Sequence, residues 1–180
     1  MVLVIYLRGA SAVGKTTIAK KVLLELKIVY KIDCAYFCED NFRKEMQFKY
    51  KAKDLKVHLN SVELIKTGIE KLLQLDSYEL IIIEGQFRYQ QVLQRYEQFL
   101  SQKQWKYLIF QLEVDLEEME RRDRECRPTK SPNMEEVKRD IDAFTPENTI
   151  IINTLKPIEI TSKEILDRIL KEKRINKSRK

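Results

Sequence analysis

The sequence predicts a three-layer α/β fold, a five-stranded parallel sheet flanked by helices with a small lid. Three observations lead to it. Short apolar runs alternate with segments of helical periodicity, the pattern of strand–helix–strand units in a parallel sheet. Two of the runs, Val2-Leu3-Val4-Ile5-Tyr6-Leu7 and Leu80-Ile81-Ile82-Ile83, are apolar at every position, as strands covered on both faces must be. The first run opens directly into Gly9-Ala10-Ser11-Ala12-Val13-Gly14-Lys15-Thr16, which fits G-x-x-x-x-G-K-[ST], a loop that cradles phosphates.

The elements follow in order. After the loop, residues 17–26 carry apolar side chains at helical spacing. Residues 28–38 read as the second strand region, ending at Glu39 and Asp40, and a polar, basic segment runs on to Lys56. Residues 55–75 have helical periodicity through Leu55, Leu59, Val62, Ile65, Ile69 and Leu72. The third strand, 80–83, ends in Glu84-Gly85. A helix is expected at about 88–103, a strand over 107–114, and a charged helix over 116–125 with Asp115 as its N-cap. The Pro-flanked loop 127–133 precedes a short helix near 134–143. The last strand is 149–152, and Thr161 or Ser162 is expected to cap the final helix.

A length of 180 residues suits one domain with a sizeable core, taken as 1–170 with a basic tail over 171–180. No apolar run approaches the ~20 residues of a membrane helix. The first run lacks the cleavage pattern of a signal peptide, so a cytoplasmic protein is expected. Cys34, Cys38 and Cys126 have neither C-x-x-C spacing nor a nearby histidine, which favours reduced thiols over a metal site; the one histidine, His58, falls on a helix. The net charge of +6 is concentrated at the end: residues 171–180 hold six cations against Glu172, leaving +1 for the rest. Within the body, residues 43–56 hold six cations against Glu45 and Asp54. Phe48-Lys49-Tyr50-Lys51-Ala52-Lys53 there suits base stacking and phosphate contact, though an amphipathic cover whose aromatics pack on the core is slightly favoured.

The phosphate loop joins a strand to a helix N-terminus, whose free N–H groups and positive dipole end attract anions. Gly9, Ala10, Ser11, Ala12, Val13, Gly14, Lys15, Thr16 and Thr17 are therefore the candidate ATP-binding residues. Lys15 should reach the β- and γ-phosphates, and the Thr16 hydroxyl should ligate Mg²⁺. Glu84, at the end of the most apolar strand, lies where it can hold Mg²⁺ through water; otherwise it caps the next helix. Asp40 follows the second strand at the same sheet edge and can take the proton of an attacking hydroxyl, with Arg43 gripping a substrate or the transferred phosphate. The alternative is a helix N-cap with a solvated arginine. Arg121, Arg122, Arg124 and Arg127 crowd the approach to the 127–133 loop, so a lid spans about 121–133. Arg124 (catalytic) and Arg127 (ATP-binding) are best placed by position to neutralise transferred charge; the alternative is i,i+4 pairing with Glu117, Glu118 and Glu120.

With Asp40 and Arg43 added to the loop, the chain resembles the P-loop small-molecule and polynucleotide kinases. Asp40-Asn41-Phe42-Arg43 is similar to the D-x-x-R of 5′-polynucleotide kinases, the D-N-x-R of adenylylsulfate kinases and the D-x-F-R of zeta-toxin kinases. Leu112-Glu113-Val114-Asp115 through Arg127-Pro128 resembles the approach to their lid. Pro146-Glu147-Asn148 with Ile150-Ile151-Ile152-Asn153-Thr154 resembles the last-strand region of adenylylsulfate kinases, whereas Ile81-Ile82-Ile83-Glu84-Gly85 is closer to polynucleotide, zeta and nucleoside kinases. The resemblance implies a three-layer P-loop NTPase fold and ATP-dependent, Mg²⁺-assisted transfer of the γ-phosphoryl group to a hydroxyl, with Asp40 as general base. The D-x-x-R and the basic segment favour a polynucleotide 5′-hydroxyl or a nucleotide-like acceptor. The alternatives are an adenylylsulfate- or nucleoside-type small-molecule kinase, a regulatory NTPase, and a nucleic-acid-binding module without catalysis. A GTPase is disfavoured: the one Asn-Lys pair, Asn176-Lys177, is followed by Ser178-Arg179 and makes no N-K-x-D.

Overall fold

The computed structural model describes residues 2–46, 54–75, 78–126, 131 and 133–177, the last four by backbone alone. Arg127, the 127–130 part of the expected lid loop and residues 47–53 of the basic segment lie outside the described residues.

The elements run β1 (Leu3–Arg8), α1 (Lys15–Ile28), β2 (Cys34–Cys38), α2 (Glu39–Glu45), α3 (Leu55–Leu75), β3 (Leu80–Gly85), α4 (Gln90–Lys103), β4 (Lys106–Glu113), α5 (Leu116–Cys126), α6 (Met134–Asp142), β5 (Thr149–Asn153) and α7 (Ile158–Lys177). The five strands form one sheet in the order β2-β3-β1-β4-β5. Each neighbouring pair is parallel. The expected parallel α/β fold is therefore present.

Strand composition follows position in the sheet. The inner strands β1 and β3 are buried at every residue, while the edge strands β2 and β5 are only partly covered. The period of two along a strand divides the core. Leu3, Ile5 and Leu7 face a core shared with α1, α5, α6 and α7. Val4 and Tyr6 face the opposite core, built from α3 and α4. These two apolar layers give the helix–sheet–helix architecture its three tiers.

Two sequence expectations shift. The second strand begins at Cys34, not at residue 28. Helix α1 continues through Ile28, and Ile28 and Val29 are apolar yet exposed, Val29 to 64%. Their run with Tyr30 and Ile32 mimics a strand, but Ile32 N–H bonds back to Leu26 O at 3.0 Å, a turn out of the helix. Thr161 and Ser162 do not cap α7, which starts at Ile158. Their hydroxyls donate instead to the carbonyls of Pro157 (3.2 Å) and Ile158 (2.6 Å), one turn back. Asp115 does cap α5, accepting the Glu118 N–H at 2.8 Å.

Arg8, the last residue of β1, is wholly buried. Its guanidinium donates to Phe87 O (3.2 Å) beyond β3, to Gln111 Oε1 on β4 and to Ile141 O (3.0 Å) at the end of α6. Burial pulls its pKa down to about 10, against the pull of Asp142 and Glu113, so it keeps its charge at neutral pH. One side chain thus ties three elements together directly behind the phosphate loop. Arg8→Met leaves those acceptors buried without their donor and should cost about 3 kcal/mol or more. Lys21→Ala, which removes the exposed pair with Glu159, should cost under about 1 kcal/mol. Urea denaturation measures both, and equal losses would refute the central role of Arg8.

Candidate active site

The loop after β1 takes its shape from backbone that only some residues can adopt. Gly14, the residue before α1, sits at φ 92 and Ala12 at φ 63. A Cβ on Gly9 would stand 2.7 Å from Leu112 O, so β4 passes against the loop as closely as glycine allows. Residues 10–14 are thereby wound around the start of α1. Lys15 curls back over the turn, its ammonium donating to the carbonyls of Gly9 (2.9 Å) and Ala10 (2.7 Å). The next hydroxyl, Thr16 Oγ1, donates to Glu84 Oε1 at 2.8 Å.

Glu84 reaches Thr16 because β1 and β3 pair in parallel with Leu7 opposite Glu84. Its carboxylate is buried, and Oε2 has no hydrogen-bond partner among the described residues. Burial first, and then the charge of Glu84 and a hydrogen bond to it, push the Tyr36 hydroxyl far up; burial, then a hydrogen bond to Glu84 and its charge, push the Cys38 thiol up to about 11. The orphan oxygen of Glu84 beside a hydroxyl suits a hard divalent cation, so Thr16 and Glu84 fit the Mg²⁺ expected of them.

Asp40 enters from the neighbouring strand. It lies in the first turn of α2, two residues past the end of β2, with its side chain 38% exposed. Burial raises its carboxyl pKa, but Arg43, Lys15 and Lys44 together outweigh this and hold the carboxyl below its ordinary value. The contribution of Lys15 shows that Asp40 and the phosphate loop act on one space. That space is a cavity of about 380 Å³ lined by residues 11–18 and Asp40 on one side. Arg122, Cys126, Thr154, Lys156, Ile158 and Thr161 line the other.

The arginines divide. Arg122 lines the cavity, donating to Glu118 Oε1 (2.7 Å) and to Thr154 O (2.7 Å). Arg121 pairs with Glu118 and Glu125 on the outer face of α5. Arg124 is 55% exposed, stands 3.9 Å from Glu120 and does not line the cavity. Sequence alone could not separate Arg122 from its neighbours, because all have a glutamate one turn away; the partner that distinguishes it, Thr154, is 32 residues distant.

Arg43 is 8% exposed and does not line the cavity. Its Nη2 donates to Asp40 and its Nη1 faces His58 Nε2 at 3.3 Å. His58 in turn meets Glu39 Oε1 through Nδ1 at 3.1 Å. Both His58 and Glu39 are fully buried. Sequence reading passed over Glu39 and treated His58 only as a helical residue. The available signal was the single histidine at helical spacing with Leu55, Val62 and Ile65.

Asp123 was also missed. It is buried in α5 and accepts both the backbone N–H and the hydroxyl of Ser131, each at 2.7 Å. It thereby ties α5 to Ser131.

No family model matches the chain, and no curated protein matches it in sequence. Solved structures do match over nearly the whole length. A gluconokinase from Sinorhizobium meliloti 1021 is similar with a TM-score of 0.67 and 10% identity, over 96% of this chain and 95% of that one. A sugar kinase from Janibacter sp. HTCC2649 is similar with a TM-score of 0.64 and 16% identity, over 93% and 94%. The adenylylsulfate (APS) kinase of Mycobacterium tuberculosis, solved with AMPPNP and APS, is similar with a TM-score of 0.66 and 14% identity, over 92% and 96%. These likenesses, the sheet order and the loop after β1 together establish that the chain has the P-loop kinase fold.

Proposed function

We propose that the protein is an ATP-dependent kinase that transfers the γ-phosphoryl group to a hydroxyl of a small molecule. The observation that carries this is the meeting of Lys15, Thr16 and Asp40 on one cavity, with Glu84 bonded to Thr16 behind them: groups suited to a nucleotide's phosphates stand beside a carboxylate suited to a hydroxyl proton. Residues 9–17 would bind the nucleotide phosphates, through the N–H groups at the start of α1 and the Lys15 ammonium. Mg²⁺, held by Thr16 and Glu84, would neutralise charge on the phosphates. Asp40, ionised at neutral pH, would accept the proton of the attacking hydroxyl. Arg122 faces the same cavity and is better placed than Arg124 to meet developing negative charge. Arg127 would join it if the 127–130 loop brings it over the nucleotide.

The sequence alone favoured a polynucleotide or nucleotide-like acceptor, on the strength of D-x-x-R and the basic segment. The environment of Arg43 argues for the small-molecule alternative. A guanidinium held by Asp40 and His58 inside the protein is poorly disposed to grip an acceptor phosphate. The gluconokinase, the sugar kinase and the APS kinase all act on small molecules, which supports the same choice.

Replacing Asp40 with Ala should lower transfer by ~10² or more while nucleotide binding persists. Calorimetric titration with a non-hydrolysable ATP analogue and a turnover assay separate the two effects; unchanged turnover would sink the base assignment. Lys15→Met should instead weaken nucleotide binding by roughly tenfold or more, since a charge-assisted contact to phosphate is lost. The acceptor is found by a labelled-ATP screen over sugars and polyols, nucleosides, adenylylsulfate, and 5′-hydroxyl RNA and DNA. Label on an oligonucleotide alone would restore the polynucleotide reading. Rapid hydrolysis with no acceptor dependence would indicate a regulatory NTPase.

A further inference from the structure

The geometry points to His58 as a positioning residue for Asp40, acting through Arg43. The functional half of this inference rests on the phosphotransfer reading; the structural half does not.

Arginine has donors and no acceptor. The 3.3 Å contact between Arg43 Nη1 and His58 Nε2 therefore requires an unprotonated Nε2. The proton must sit on Nδ1, which stands 3.1 Å from Glu39 Oε1 and donates to it. The direction of every bond follows: His58 to Glu39, Arg43 to His58, Arg43 to Asp40. Ser61 reaches the same Glu39 oxygen at 3.3 Å, but its single hydroxyl proton has a nearer acceptor in His58 O at 2.7 Å. The imidazole is thus the main support of Glu39 Oε1, while Glu39 Oε2 has no partner among the described residues.

The surroundings keep the imidazole from turning. His58 is wholly enclosed, and the Tyr89 ring meets it edge to face, with centroids 5.0 Å apart and planes at 84°. Arg88 lies over the Tyr89 ring at 5.0 Å and is itself tied to Glu136 and Asp140 of α6. Glu39 fills the space beside Gly85, where a Cβ would stand 2.2 Å from its Oε2. Arg43 has a second, opposing charge in Glu39, which together with Asp40 outweighs the effect of burial and raises its pKa. The guanidinium is therefore fixed from the inside, and Asp40, the one member at the cavity, inherits that fixed position. A base held in one orientation transfers protons faster than one that must be ordered at each turnover.

The chain has a single histidine, so its imidazole can be observed without ambiguity. Protein labelled on the imidazole nitrogens should show a neutral ring protonated at Nδ1 at neutral pH, and Asp40→Asn should shift its signals because Arg43 loses its anionic partner. A ring protonated at Nε2, an imidazolium, or signals indifferent to Asp40→Asn would overturn the relay. This measurement needs no acceptor, so a failed acceptor screen counts against the kinase reading alone. With an acceptor in hand, His58→Gln and His58→Asn provide the functional comparison. Glutamine can place its amide oxygen where Nε2 accepts from Arg43; the shorter asparagine reaches only toward Glu39. His58→Asn should lower kcat by on the order of tenfold or more with KM for ATP unchanged, and His58→Gln should recover most of it. If the two variants lose kcat equally, in step with their thermal stability, the role is structural and the inference fails.

Discussion

The parallel register of β1 on β3 is the constraint from which the candidate site follows. Leu7 stands opposite Glu84 and Arg8 opposite Gly85, so the phosphate loop begins at the height where β3 ends in an acid. A slip of one residue would exchange the faces of β1 and move every core side chain to the wrong layer. Because both faces of β1 and β3 are buried, that slip is strongly opposed: Leu3, Ile5 and Leu7 belong to one core, Val4 and Tyr6 to the other. The 2.8 Å bond between Thr16 and Glu84 is thus a consequence of apolar packing far below it. β2 on β3 extends the same logic, since Cys38 lies opposite Glu84 and brings Asp40 to the same edge.

Charge then decides how these groups behave. A carboxylate at a sheet edge beside a lysine and an arginine stays ionised, which a proton acceptor needs, despite the burial that opposes it. The same arrangement takes Arg43 away from the solvent. Its positive charge lies between Glu39 and Asp40, so of the six cations of residues 43–56 this one is turned inward and balanced. The polynucleotide expectation rests on D-x-x-R and the basic segment; the enclosed position of Arg43 weakens the first of these grounds.

What the sequence disclosed and what it concealed differ in range. The phosphate loop, the two fully apolar strands and the Asp115 cap are local patterns, and all were legible. The start of β2 was not, because Ile28 and Val29 are exposed apolar residues at a helix end, and periodicity assumes that apolar means buried. Thr161 and Ser162 had the chemistry of caps but sit inside α7, where their hydroxyls bond one turn back. Arg8, His58 and Asp123 carried no signal of their surroundings, and Arg122 could not be told from the neighbouring arginines, for one shared reason. Each acquires its meaning from a partner that folding brings to it, among them Ile141 for Arg8, Glu39 for His58 and Thr154 for Arg122.

Those same long-range partners suggest how the cavity's two sides are held to one framework. Arg8 binds the end of α6 to the root of the phosphate loop, while Arg88 grips α6 along its length and stacks on Tyr89. Tyr89 in turn backs His58, and through it the residues that hold Asp40. Across the cavity, Arg122 fastens α5 to the segment after β5, and Asp123 fastens α5 to Ser131 just before α6. Helix α6 is therefore the element common to both sides. Its ion pairs join the nearly buried Arg88 guanidinium to the half-buried carboxylates of Glu136 and Asp140, so moving it would strip an enclosed charge of both partners, which is costly. Helix α6 is thus the fixed element against which α5 and the residues around Asp40 are both held.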